Sequence, residues 1–303
     1  MTGSEKSQLE LLVDGIGAAS TMQRRAVESA LEALTQGERL ELQSYLEFCT
    51  KEGWGIDQLV GAYMTITHDT MREQIFFQRN GQYRHSSFDS VASNVYFDTK
   101  YMSSYMYGLA LTLFLWPNHL QIVRFFRDML PRKRGGTYLE VGPGHGAFFR
   151  YAVRYGGFDT CVGVDISPTS LQMTRKLLES DTSLDRARWE LMNTDFLAAT
   201  TLHERYDAIV MGEVLEHVEE PLKFLERIRD LAAKNAFIFI TTAINAPAID
   251  HIYLFRTVEE VRDLVTAAGM TVRDVLATPY TGCSMEETVQ KKLPINVAMV
   301  LKA

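Results

Sequence analysis

Three short stretches of this chain could bind or transform a ligand, and all three lie beyond residue 135. In the first, Gly142-Pro143-Gly144-His145-Gly146 follows an apolar run, Thr137 to Val141, and a helical pattern begins at once. Glycines let a backbone turn sharply and approach a ligand with no Cβ in the way. The helix start beyond them offers unpaired N–H groups. In the second, Gly163-Val164-Asp165 closes the next apolar run. An acid there can accept both hydroxyls of a ribose. It could also cap the following helix, although Ser167, just before Pro168, is the better cap. The third, Asn193-Thr194-Asp195-Phe196, offers an acid to an adenine amino group and a ring to stack on the base. A turn made by Asn and Asp would have the same appearance.

The elements that must position these residues alternate in type. Strands are expected at Thr137–Val141, Thr160–Val164, Arg188–Met192, Ala208–Met211, Ala236–Thr242, Thr271–Ala277 and Asn296–Leu301. Helices are expected at Ala147–Tyr155, Thr169–Leu178, Pro221–Ala232 and Val258–Ala268. Such alternation builds an α/β fold with a mostly parallel sheet covered on both faces. Its ligands bind beyond the carboxyl ends of the strands. Before Gly135-Gly136 the chain reads as helical. Met22, Ala26, Val27, Ala30, Leu31 and Leu34 recur at helical spacing, a second segment runs from Glu38 to Cys49, and a longer one from Ile56 to about Gln78. The expected organisation is therefore a helical domain over residues 1–134 and an α/β domain over 135–303.

Composition narrows the classes. The 303 residues are 46% hydrophobic and 23% charged, which suits a globular chain. The longest apolar run, Leu109 to Trp116, is too short to span a bilayer, and the first residues carry no secretory pattern. No membrane partner is expected, and a cytoplasmic setting is. A net charge of −7 argues against a nucleic-acid surface. The Arg132-Lys133-Arg134 cluster reads as a solvated linker. Cys49, Cys161 and Cys283 are too far apart to read as ligands or disulfides, and no metal is expected.

The Glu140–Gly146 segment, Asp165, Asp195-Phe196 and Glu213-Val214-Leu215-Glu216-His217-Val218, in that order and spacing, resemble the motifs of class I S-adenosylmethionine-dependent methyltransferases. The likeness covers about residues 137–303. It implies a Rossmann-like, doubly wound seven-stranded sheet whose last strand is antiparallel, with S-adenosyl-L-methionine as cofactor. It assigns Glu140, Gly142, Gly144 and Gly146 to the methionine part of the cofactor, Asp165 with Ile166 to the ribose, and Asp195 and Phe196 to the adenine. Glu213 would sit where the fourth strand opens toward the donor methyl. The glycine spacing does not match the dinucleotide fingerprint. The Asn/Asp-Pro-Pro-aromatic tetrad of base-amine methylation is absent, as is the paired-glutamate loop of arginine methylation. A small organic acceptor methylated at oxygen or carbon is expected, in secondary metabolism.

Methyl transfer to a hydroxyl or an acidic carbon gains from a general base, usually His near neutral pH. His251, in the loop after the fifth strand, and His217 are the candidates; His217 could instead pack and cap a helix start. His145 would contact the cofactor or shape its turn, whereas His68, His85 and His203 read as surface or core. Tyr101, Tyr105, His119 and Asn245 are the candidate substrate residues. Residues 82–120, rich in tyrosine, would close over the acceptor as a lid, although aromatic and Met stripes at helical spacing are more often core. A homodimer stays open. So do a cofactor-binding enzyme that catalyses a rearrangement or cyclisation, and a non-catalytic partner subunit.

Overall fold

A computed structural model describes residues 6–93, 95–132, 134–184, 188–202 and 205–303. Residues 1–5, Lys133 and His203, on which expectations above rest in part, lie outside them.

The first seven helices are α1 (Gln8–Ala19), α2 (Thr21–Glu32), α3 (Gln36–Lys51), α4 (Ile56–Asn80), the short α5 (Asp89–Ala92), α6 (Thr99–Leu115) and α7 (Pro117–Met129). Local chemistry sets their starts. Reciprocal capping boxes open α1 (Ser7 with Glu10) and α3 (Thr35 with Glu38). Asp98 caps α6, and Pro117 stands at the first position of α7, where its missing N–H costs nothing.

The remainder is the expected α/β sandwich. Its strands are β1 (Thr137–Val141), β2 (Thr160–Asp165), β3 (Arg188–Asn193), β4 (Tyr206–Gly212), β5 (Ala232–Ile244), β6 (Thr271–Thr278) and β7 (Ile295–Lys302). They lie in the order β3-β2-β1-β4-β5-β7-β6. Only β7 is antiparallel to its neighbours, β5 and β6. Helices α8 (Ala147–Tyr155), α9 (Pro168–Glu179), α10 (Pro221–Leu231), α11 (Val258–Ala267) and α12 (Met285–Gln290) complete the chain. The order reverses between β1 and β4, where such sheets bind ligands beyond the strand ends.

Three apolar cores result. One lies between the sheet and α10 and α11, around Ile209, Ile238 and Val261. A second fills the opposite face of the sheet, where Ile122 and Phe126 of α7 meet Tyr138, Phe149 and Phe239. The third belongs to the helical half, yet includes Met173 and Leu177 of α9 and Ile252. By packing, α7 joins the two halves: Ile122 and Phe126 face the sheet, Leu120 lies in the helical core, and Arg124 bonds Glu38 of α3. Its inward stripe of Leu120, Ile122, Val123 and Phe126 serves both. No helix among the described residues is long and apolar enough to cross a membrane.

Candidate active site

The glycine turn is built from backbone. Gly142, Gly144 and Gly146 have φ of 68°, 55° and 80°, a region where a side chain is strained. A Cβ on Gly142 would meet Cγ2 of Val214 at 2.7 Å, and one on Gly146 would meet Oγ1 of Thr174 at 2.9 Å. Gly142 donates its N–H to the Val164 carbonyl, and Thr174 donates its hydroxyl to the Gly144 carbonyl. Asp165 stands at the end of β2, accepting N–H bonds from Gly144 at 3.2 Å and Ser167 at 2.8 Å. Burial pushes its carboxyl up to about 6. Each carboxylate oxygen keeps a further lone pair for a ligand hydroxyl. Half-buried Ile166 lies beside it. A glycine cradle that a Cβ would fill, next to an anchored acid, fits a nucleoside with a short charged tail.

Two expected cofactor residues do other work. The two-residue period of β1 turns Glu140 onto the α8 face with Tyr138. There it accepts the Tyr138 hydroxyl and the Phe149 N–H, and burial pushes its carboxyl up to about 8. It anchors the start of α8 beneath the glycine turn. Phe196 is buried in the sheet–α10 core, its ring 5.6 Å from that of Phe224. What this strand end presents outward is Asp195, whose carboxylate accepts the Leu197 N–H.

The acceptor side forms at the ends of β4 and β5. Glu213 and Asn245 end these strands with φ of 50° and 48°. Such backbone strain in non-glycine residues gathers at functional sites. After Glu213 a 3₁₀ turn, Leu215–His217, aims Glu216 and His217 inward. The Glu216 carbonyl accepts N–H bonds from Ile252 and Tyr253, which ties the β5 loop over the turn. The rings of His217 and His251 meet edge to face, 4.7 Å apart. Burial pushes His251 down to about 4, so it is neutral near pH 7. Glu216 is fully buried, and burial together with the neighbouring Glu213 carboxylate pushes it well above the usual range. One of its oxygens accepts the Thr242 hydroxyl at 2.7 Å. The other, and one oxygen of Asp250, are buried without a hydrogen-bond partner. Donor atoms of Glu216, His217 and His251 lie within 4.8 Å of one another, so the trio could hold a metal ion, contrary to the sequence expectation.

The tyrosines of the helical half wall this centre. Tyr101 and Tyr105 stack on α6 with centroids 5.9 Å apart, and Tyr101 donates to Asp69 at 3.1 Å. Burial and the carboxylate of Asp250 hold the phenols of Tyr96 and Tyr105 well above their ordinary range, so both stay protonated donors. Two expected substrate residues are placed differently. Asn245 is buried, with its amide donated to the Arg256 carbonyl, because it fastens the end of β5. His119 sits in the α6–α7 corner, bonded to the Thr112 hydroxyl at 2.8 Å and 5.0 Å from the Trp116 ring. Its electrostatic neighbour is His145, and both are pushed down to about 4 by burial. His145 accepts the Ala147 N–H and so shapes the turn. Sequence reasoning had Tyr96 only as part of the lid, and missed Glu216, Asp250 and Tyr83 as members of this cluster. The one signal for Glu216 was its place beside His217.

A sheet of this order, with a glycine cradle at the switch point and an acid ending β2, defines a class I S-adenosylmethionine-dependent methyltransferase. A protein-family model described as a methyltransferase domain matches residues 118–275, and the chain belongs to that family. Its amino-terminal limit coincides with the start of α7. Among curated proteins, the ubiquinone biosynthesis O-methyltransferase of Aeromonas salmonicida is 27% identical over 193 residues, 56% of this chain and 79% of the relative. The mitomycin 7-O-methyltransferase structure aligns with a TM-score of 0.50 at 15% identity, over 82% of this chain and 70% of that one. A mycolic acid cyclopropane synthase solved with SAH and CTAB aligns with a TM-score of 0.51 at 16% identity, over 61% and 84%. These two likenesses concern the fold.

Proposed function

We propose that this methyltransferase methylates a hydroxyl oxygen of a small organic acceptor held between the ends of β4 and β5 and the tyrosines of the helical half. The observation that carries this reading is the convergence of donor atoms of Glu216, His217 and His251 within 4.8 Å of one another, with the Tyr96 hydroxyl 2.9 Å from His217. In the reaction a C–O bond forms as the C–S bond of the donor breaks. The sulfur takes the bonding pair and leaves as S-adenosylhomocysteine, and the hydroxyl proton must go elsewhere. His217 or His251 would take it as general base. A divalent cation, if one is held by Glu216 and the two histidines, would lower the pKa of the hydroxyl. Asp165 and the glycine turn would place the donor, and the lid would keep water out. The curated relative's name supports oxygen as the acceptor atom. That name points to ubiquinone biosynthesis rather than to the secondary metabolism expected from sequence.

The test is to incubate the protein with S-adenosylmethionine and a panel of phenols, catechols and aliphatic alcohols, with Mg²⁺ and with chelator. A product heavier by one methylene, with stoichiometric S-adenosylhomocysteine, is expected. Methyl transfer to ring carbon rather than oxygen, or no transfer to any of them while an amine or carbon acid added to the panel is methylated, would overturn the oxygen assignment. Product of unchanged mass without S-adenosylhomocysteine would instead mark a rearrangement or cyclisation. Activity unaffected by chelator would leave the proton to a histidine alone.

A further inference from the structure

The stretch joining α4 to α6 sends a tyrosine to each of the two histidines. At one end, the Tyr83 hydroxyl accepts the Ala246 N–H at 3.1 Å, and its ring centroid is 5.9 Å from that of His251. The carbonyl of the same Ala246 lies 2.5 Å from Nδ1 of His251. At the other end, the Tyr96 hydroxyl lies 2.9 Å from Nδ1 of His217 and donates to Asp250 at 3.2 Å. Nδ1 of His217 also faces the Asp250 carbonyl at 3.1 Å and its carboxylate at 3.4 Å. A carbonyl and a carboxylate can only accept, and the Tyr96 proton is already committed to Asp250. Every neighbour therefore offers Nδ1 a lone pair, so this nitrogen carries the proton and Nε2 keeps its own lone pair. The Ala246 carbonyl imposes the same tautomer on His251. Between the two tyrosines the segment is pinned to the loop that follows the histidine turn. Phe88 donates its N–H to Glu219 at 3.0 Å, and its ring lies 5.3 Å from that of Tyr96.

We propose that Tyr83 and Tyr96 form a positioning clasp: Tyr83 holds the Ala246 backbone that faces His251, and Tyr96 shares Asp250 with His217, so that together they fix the orientation of both rings. The reaction centre is complete only while the segment that carries them is docked. Neither tyrosine touches the reacting atoms; each acts through a histidine, as hydrogen-bond partners of catalytic or metal-bound imidazoles do. This explains what the helical half contributes to a fold that can already hold its donor. The proposal rests on the reading that places both histidines at the reaction centre.

Nitrogen NMR of the whole protein labelled with ¹⁵N-histidine reads the tautomers without substrate or metal, with His217→Gln and His251→Gln assigning the signals. Wild type should show both rings protonated at Nδ1. Tyr96→Phe should shift the Nδ1 signal of His217, which loses a partner at 2.9 Å, and leave His251 unchanged. Turnover in Tyr96→Phe should fall about 10- to 100-fold, the scale for loss of a partner behind an imidazole, with S-adenosylmethionine affinity within about twofold. An unaltered His217 signal in a folded Tyr96→Phe protein would overturn the clasp, whatever its effect on the melting temperature. Should that variant not fold, Tyr83→Phe, read at His251, decides in the same way. If the ring signals respond but no hydroxyl acceptor is methylated by wild type, the clasp stands and the proposed function falls.

Discussion

The two sides of the strand ends are made of different material. On the donor side, three left-handed glycines within five residues and one acid at the end of β2 form the cradle, and their contacts are mainly with backbone. On the acceptor side, His217, His251, Tyr83 and Tyr96 come from three stretches far apart in the chain, and their contacts with one another run through side chains. A backbone cradle suits a donor that never changes, because almost any substituent damages it. A side-chain wall can be altered without disturbing the sheet. The helical half, which supplies much of that wall, is where this enzyme differs from a bare donor-binding fold.

This contrast predicts that damage to one side leaves the other intact. The largest effect should come from His217→Gln and His251→Gln. The proposed base step is worth about 10²- to 10⁴-fold in turnover, while S-adenosylmethionine affinity by calorimetry should stay within about twofold. Equal losses in both quantities would show that the two sides are one unit. Next, Asp165→Ala should weaken donor binding about 10- to 100-fold, the worth of one or two hydrogen bonds to a charged group. Its melting temperature should stay near that of wild type; unchanged affinity would remove Asp165 from the ribose.

A smaller effect is expected from pH. Asp165 titrates at about 6 because burial disfavours its charged form, and the charged form is the one that accepts two hydroxyls. Donor affinity should therefore be full above pH 6 and fall about tenfold per unit below it. Asp165→Asn should flatten that slope, and a slope that persists would place the titration elsewhere. The smallest effect, on neither side, concerns the joint between the helical half and α7. Arg124 holds the Glu38 carboxyl down to about 2 through paired hydrogen bonds. A depressed carboxyl stabilises the fold above its unfolded value of 4.5, and that contribution is lost as pH falls toward 2. Glu38→Gln should cost about 1–2 kcal/mol in denaturant unfolding at pH 7 and little at pH 2 or below. Its donor affinity should be unchanged.

Much of the donor side was legible because its grammar is local. Gly142, Gly144 and Gly146 must be glycine where they stand, and Asp165 is set by the end of one strand. Glu140 and Phe196 pack against helices, which the sequence does not show. A side chain at the end of a strand faces either the ligand or a helix, and only the packed neighbour, α8 or α10, decides which. The acceptor side was half legible. His217 and His251 were candidates on position alone, but Asp250 looked like a mere neighbour of His251 until it proved to share Tyr96 with His217. Asn245 and His119 have the right chemistry, yet strand fastening and a helix corner occupy them. The same limit set the domain boundary: Gly135-Gly136 is the sharpest break in composition, but α7 before it packs on the sheet.

By itself the sequence determined the alternation of strands and helices, the doubly wound sheet, the donor cradle and the class of reaction. Backbone conformation, capping and periodicity act over a few residues and leave a readable trace. Only the tertiary structure decided which titratable groups meet. The pairing of Tyr83 with His251 and of Tyr96 with His217 depends on how the helical half docks over β4 and β5. That docking is set by apolar burial summed over many side chains, which has no direction and leaves no local signature in the chain.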